Sequence, residues 1–203
     1  MVELVQQGGV IIVLIMILSV VAVAIVIERL LFFRRNRGDE ETIMRRLDTV
    51  LAKGNFDEAL AICEAMPSPI TNLMRVGIEH RAYSREVIKT AISDAANMEI
   101  PQMERYLSSL GTIAHVTPLL GLLGTVTGNI RAFGVLSQTG IGTGDPAVLA
   151  GGISEALLTT AAGIIVSIPA IAFYNYLVSR VNHSIIRLES RVNELVLYLK
   201  KEA

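Results

Sequence analysis

Glu155, Thr159 and Thr160 place one carboxylate and two hydroxyls within six residues. They sit in an apolar stretch, residues 151–175, long enough to cross a membrane. A carboxylate at the centre of a helix in lipid costs about 2.5–3.5 kcal/mol or more, so such groups face a partner or a water-filled cavity. Glu155 lies near one end of the stretch, where the cost is lower. Threonine hydroxyls donate and accept, so they can carry a file of water or coordinate a cation. At helical spacing Ala156, Thr160, Gly163, Ser167 and Ala170 share one stripe. Such a stripe suits close packing against another helix or the lining of a narrow path, and the residues alone do not choose.

A second apolar stretch, residues 107–136, carries matching chemistry. Thr117, Gly121, Thr125 (with Gly124 beside it), Gly128 and Ala132 recur at steps of about four residues, forming one face. Pro118 weakens this helix locally. His115, with an ordinary pKa of about 6.5, can shuttle protons, although a lone histidine in a bundle is more often a hydrogen-bonded structural group. Arg131, near the outer end, is placed to snorkel outward or to pair with Asp145 or Glu155.

Long apolar helices must hold these groups. Of the 203 residues, 52% are hydrophobic, and the mean hydropathy is +0.53. That is too apolar for an ordinary soluble domain and fits a membrane protein with a sizeable polar part. A net charge of −1 gives no reason to expect a nucleic-acid partner. One cysteine, Cys63, excludes an internal disulfide, and its helical surroundings suggest a small buried side chain. The sequence has no Gly-rich phosphate loop, no metal-ligand cluster and no Ser/His/Asp or Cys/His constellation. No cofactor, metal or enzymatic activity is therefore expected.

The predicted fold is an all-α membrane protein with three transmembrane helices and long cytoplasmic helical extensions. Residues 1–9 form a periplasmic N-terminus without Lys or Arg, and residues 10–33 form transmembrane helix 1. The Met-Val-Glu start lacks the basic beginning of a signal peptide, so this apolar run is read as retained. Arg34, Arg35 and Arg37 follow it, which puts that end inside the cell. Glu28 and Arg29 are expected at the inner interface, snorkelling. Residues 34–106 form a cytoplasmic helical region. There Asp39 caps a helix that stops at Gly54, and an Asn55–Glu58 capping box opens a second. A third helix fits 70–81. A long fourth is capped by Ser84 and is kinked, not ended, by Pro101. Residues 107–136 are transmembrane helix 2, 137–149 a Gly-rich periplasmic loop, and 150–176 transmembrane helix 3. Residues 177–203 form a cytoplasmic C-terminal helix. Its Leu188, Val192, Leu195 and Leu199 keep an a/d rhythm suited to packing on the helix after Ser84. One such chain encloses little of a pore, so conduction needs a ring of subunits or a companion helix.

Gly121-Leu122-Leu123-Gly124-Thr125-Val126-Thr127-Gly128 closely resembles a motif of the MotA/TolQ/ExbB proton-channel family. So does Gly152-Ile153-Ser154-Glu155-Ala156-Leu157-Leu158-Thr159-Thr160-Ala161-Ala162-Gly163, with Ile168-Pro169-Ala170 and Tyr174-Asn175 after it. Ile27-Glu28-Arg29-Leu30 is similar to the ExbB/TolQ branch, and the resemblance covers essentially the whole chain. It implies a homopentamer in the bacterial inner membrane. The pore between the second and third spans would hold the single transmembrane helices of two copies of an ExbD/TolR/MotB-like partner. That partner carries the proton-accepting aspartate, and a TonB-like protein is a further implied partner. Ion flow would move one component against the other and export work to an outer-membrane or cell-wall target. By motif position Thr125 and Thr160 are the pore threonines, Glu155 serves interface contact and gating, and Pro169 marks a kink. Arg131 and His115 join the gating or interface set, although His115 stands where the family has a small residue. Thr159 beside Thr160 resembles the threonine set of sodium-driven members, so sodium is an alternative to the proton. A non-conducting membrane scaffold, whose stripes only pack helices, is another. The insert is shorter than in flagellar MotA, which argues against a flagellar stator.

Overall fold

Six helices follow one another along the chain: α1 (Val2–Leu51), α2 (Phe56–Ala65), α3 (Pro69–Glu79), α4 (Arg85–Met103), α5 (Leu107–Thr139) and α6 (Pro146–Lys201). This computed structural model describes the backbone of residues 2–139 and 146–201, and the side chains of 9–34, 42–134, 147 and 149–199. Among the described residues every regular element is helical. Three stretches are long and apolar enough to cross a membrane, within Gly9–Arg34, Arg85–Gly134 and Leu149–Leu199. Asp145 and most of the predicted loop 137–149 lie outside the described residues.

The chain divides into two units. The first holds Met1–Glu28 and Tyr106–Leu177. In it α1 is interrupted at Gly9, whose φ of 60° and ψ of −160° suit a residue without Cβ. Beyond that break Ile12, Ile15, Ala22, Ile25 and Val26 are buried, a helical spacing that makes one inward face. The other side, with Val10, Ile17, Val20 and Ile27, is exposed, as a lipid-facing surface would be. α5 and α6 supply the candidate site.

The second unit holds Arg29–Arg105 and Val178–Ala203. Its core is built from Leu47 of α1, Leu73 and Ile78 of α3, Ile88 and Ile92 of α4, and Leu195 and Val196 of α6, all fully buried. Each such aliphatic side chain contributes about 1.5–3 kcal/mol on burial. Gly77 of α3 marks the tightest point. A Cβ there would lie 2.6 Å from Leu195 and 2.9 Å from Ile92. The C-terminal end of α6 and the helix after Ser84 thus both reach Gly77 of α3, and Val192 of the a/d set is only half-buried.

Several local expectations change. No new helix begins at Asp39, because α1 runs on to Leu51. A single Gly such as Gly38 costs a helix interior only about 1 kcal/mol and does not end it. The stop comes at Gly54, in the left-handed region with φ 70°. α2 starts at the predicted place, but Asn55 makes no side-chain cap. Its Nδ2 donates instead to Glu58 Oε2 at 2.8 Å. The capping box falls one helix later, where Ser68 Oγ accepts from the Thr71 backbone and Thr71 Oγ1 accepts from the Ser68 backbone. Ser84 caps α4 as predicted, accepting from Val87 N–H at 3.4 Å. α4 passes through Pro101 and ends two residues after it, at Met103, with Tyr106 at φ 64° beyond the break.

Arg29 is the larger correction. Instead of snorkelling it is only 2% exposed. Its guanidinium donates to the carbonyls of Gln102 at 3.0 Å and Met103 at 3.4 Å, and lies 4.7 Å above the Phe32 ring. The last carbonyls of a helix have no partner within it and carry its negative dipole end, so a buried cation there satisfies both demands. Replacing Arg29 by Gln should destabilise the protein by about 2–4 kcal/mol. Thermal loss of helicity in detergent measures this, and an unchanged midpoint would contradict the capping role. Cys63 is buried in the same unit, and burial pushes its thiol from 9.0 up to about 11. Because the thiolate is the nucleophile, a water-soluble maleimide at neutral pH should label the folded chain about a hundredfold more slowly than the denatured chain.

Candidate functional site

The two threonine-bearing helices of the first unit run side by side in opposite directions. Their small residues alternate in register. A Cβ on Gly163 would lie 2.5 Å from the Thr117 carbonyl oxygen, and one on Gly121 would lie 3.0 Å from Thr160 Cα. One on Gly124 would overlap the Thr159 side chain. Gly128 faces Ala156, and Gly152 faces Ala132. Steps of three to four residues on α5 thus match steps of one to four in the reverse sense on α6. The stripes that sequence spacing picks out on each helix are therefore one interface inside a single chain. Backbones this close are stabilised by dispersion and by direct hydrogen bonds.

The interface also repairs the damage done by a proline. Pro118 has no N–H, so the Ala114 carbonyl one turn earlier loses its helical donor. Ser167 Oγ on α6 donates to that carbonyl at 2.6 Å. Thr160 Oγ1 makes the second cross-helix bond, to the Gly121 carbonyl at 2.9 Å. The remaining hydroxyls turn back on their own helices. Thr117 donates to Ile113 at 3.0 Å, Thr125 to Leu122 at 2.7 Å and Thr159 to Ala156 at 2.9 Å. Among the described residues no buried side-chain nitrogen or oxygen lacks a partner, and no three His, Cys, Asp or Glu residues cluster as metal ligands.

The predicted pathway residues separate by exposure. Thr159 is 1% exposed and packed against Gly124; in the chain by itself it faces α5, not open space. Thr125 and Thr160 are half-buried, at the margin of the contact. At the other end of the pair Arg131 Nη1 meets Glu155 Oε1 at 3.0 Å, one of the two partners that sequence offered; the other, Asp145, lies outside the described residues. The arginine side chain is 66% exposed and the glutamate 24%, so the pair in water would contribute no more than about 1 kcal/mol. Gly9 adjoins it: a Cβ there would lie 2.9 Å from Glu155 Oε1. The left-handed break in α1, the end of α5 and the start of α6 therefore come together. Sequence reading missed Gly9, although an isolated Gly-Gly ahead of an apolar run is a usable signal for a break. His115 is exposed and its Nδ1 bonds the Gly111 carbonyl at 2.7 Å, which favours the structural role among its alternatives. Pro169 lies within α6, apart from the Arg131–Glu155 pair.

A model of the MotA/TolQ/ExbB proton channel family matches residues 65–190. A chain named as an ExbB homolog in Methanothermobacter thermautotrophicus is 31% identical over 150 residues, covering 72% of this chain and 51% of its own length. Tol-Pal system protein TolQ of Haemophilus influenzae is 44% identical over 92 residues, covering 45% of this chain and 40% of its own. Biopolymer transport protein exbB1 of Vibrio cholerae is 38% identical over 117 residues, covering 55% and 50%. The chain spans about half the length of these relatives, or less.

Packing at Gly124 is open to direct test. Gly→Ala in a helix ordinarily stabilises by about 0.5–1 kcal/mol. Gly124→Ala should instead destabilise by about 1–3 kcal/mol through overlap with Thr159, and a second change, Thr159→Ala, should restore most of the loss. Gly134→Ala, where a Cβ meets nothing within 4 Å, is the control. Equal thermal stability of the Gly124 and Gly134 variants in detergent would contradict the register.

Proposed function

The chain belongs to the MotA/TolQ/ExbB proton channel family, and on that footing we propose that it is the pore-forming subunit of an ion-driven membrane motor of the ExbB/TolQ kind. In this reading five copies form a ring around two single-span ExbD/TolR-like partner helices, with a TonB-like protein further along. The partner's aspartate takes up protons, and their flow is converted to motion that energises outer-membrane transport or another envelope process. Residues 10–33, 107–136 and 150–176 cross the inner membrane. Residues 1–9 and 137–149 are periplasmic, and 34–106 and 177–203 are cytoplasmic. The absence of Lys and Arg before the first span, against Arg34, Arg35 and Arg37 after it, supports that orientation.

The observation that carries the reading is the position of Thr125 and Thr160. They are half-buried hydroxyls at the margin of an otherwise closed helix pair, in the stretch the family shares. An occupant helix laid along that margin would reach both. Thr159 supports them from inside the pair, the Arg131–Glu155 pair holds one end, and Pro169 lies further along α6. His115 keeps a local backbone bond.

One finding favours a second reading, a non-conducting scaffold: the hydroxyls of Thr117, Thr125 and Thr159 are all bonded to their own helices. Thr160 decides between the two. In vesicles holding the chain with its single-span partner, Thr160→Val should abolish ion-driven work while Thr160→Ser retains it, with assembly intact in both. The bond to Gly121 is worth only about 1 kcal/mol, too little to undo assembly. Full activity of the valine variant would overturn the pathway and leave the scaffold. Running the wild type across pH at zero and high sodium distinguishes proton from sodium.

A further inference from the structure

Away from the α5–α6 pair, α6 carries Arg180, Ser184 and Arg187 at steps of four and three residues, along one helix face. All three line a small cleft of about 50 Å3 within the second unit, room for one compact polar group and not for a whole ligand. Among the described residues no carboxylate lines it. Arg187 is exposed, and among the described residues its guanidinium has no ion pair and the Ser184 hydroxyl no hydrogen bond. The first turn of α3 with its cap, Ser68 to Ile70, forms another wall. Phe32 and Phe33 complete the rim as an edge-to-face pair with centroids 5.4 Å apart.

This combination is amphipathic. Cationic and hydroxyl donors suit a phosphate, and the aromatic pair suits the hydrocarbon attached to it. Phe32 and Phe33 are also among the last residues of the candidate span Gly9–Arg34, so the rim lies where headgroups begin. A free phosphate would use the donors but leave the rings in contact with water.

We propose that this cleft binds the phosphodiester of an anionic phospholipid headgroup, with Arg187 and Ser184 as donors and Phe32–Phe33 against its glycerol and upper acyl atoms. The site is distinct from the ion pathway and is tested without measuring ion flow. The full chain, purified in nonionic detergent, is mixed with phosphatidylglycerol, phosphatidylcholine or inorganic phosphate, and bound molecules are counted by native mass spectrometry. Phosphatidylglycerol should be retained at concentrations where phosphatidylcholine is not. Arg187→Gln should weaken that retention about fivefold without change in helicity or assembly state, since the side chain is exposed. Phe33→Ser should weaken it while leaving the charge selectivity in place. Equal retention of the two lipids overturns the proposal, as does undiminished phosphatidylglycerol binding by an Arg180→Gln, Arg187→Gln double variant. Displacement of the lipid by an equal concentration of inorganic phosphate overturns the lipid assignment.

Discussion

The close approach of two backbones governs this protein. α5 and α6 meet through Gly121, Gly124, Gly128, Gly152 and Gly163, and at most of these positions one added carbon would strike the facing helix. In lipid, apolar area gains nothing by leaving the solvent, because the solvent is itself apolar. Helices there associate through dispersion and hydrogen bonds, both of which need short distances. The glycines supply the distance. The threonines, serine and alanines fill what remains without pushing the helices apart.

Short distance also allows polar compensation. Pro118 leaves a carbonyl unpaired, in surroundings where each unpaired backbone group costs several kcal/mol. Ser167 can reach that carbonyl only because Gly163 and Gly121 bring its helix so near. The second unit solves a similar problem with charge. The carbonyls that end α4 receive the Arg29 guanidinium, which stays buried because it is hydrogen-bonded and stacked over Phe32. Among the described residues each buried side-chain nitrogen or oxygen has a hydrogen-bond partner.

For an ion pathway the consequence is specific. A closed α5–α6 pair contains no internal route, and its buried hydroxyls are committed to backbone oxygens. In the proposed reading, passage runs along the pair's outer margin, where Thr125 and Thr160 lie half-buried, and needs a further surface opposite them. The proposed ring of subunits around partner helices would supply that surface.

Composition and periodicity by themselves determined that the chain is helical, that three stretches can cross a membrane, and that small and hydroxyl residues fall on one face of two of them. These are properties of a single helix: length against bilayer thickness, and a repeat of 3.6 residues. Only the tertiary structure decided what those faces meet. A stripe of glycine and threonine reads the same whether it lines a path or touches another stripe, because the distinction lies in the partner's position. For the same reason Arg29 passed as an interfacial residue until the end of α4, more than seventy residues later, was brought to it, and the Arg131–Glu155 contact, between two different helices, appears only once the chain is folded. Spacing along one helix is local and legible; the choice between helices depends on contacts distant in sequence, which no local pattern encodes.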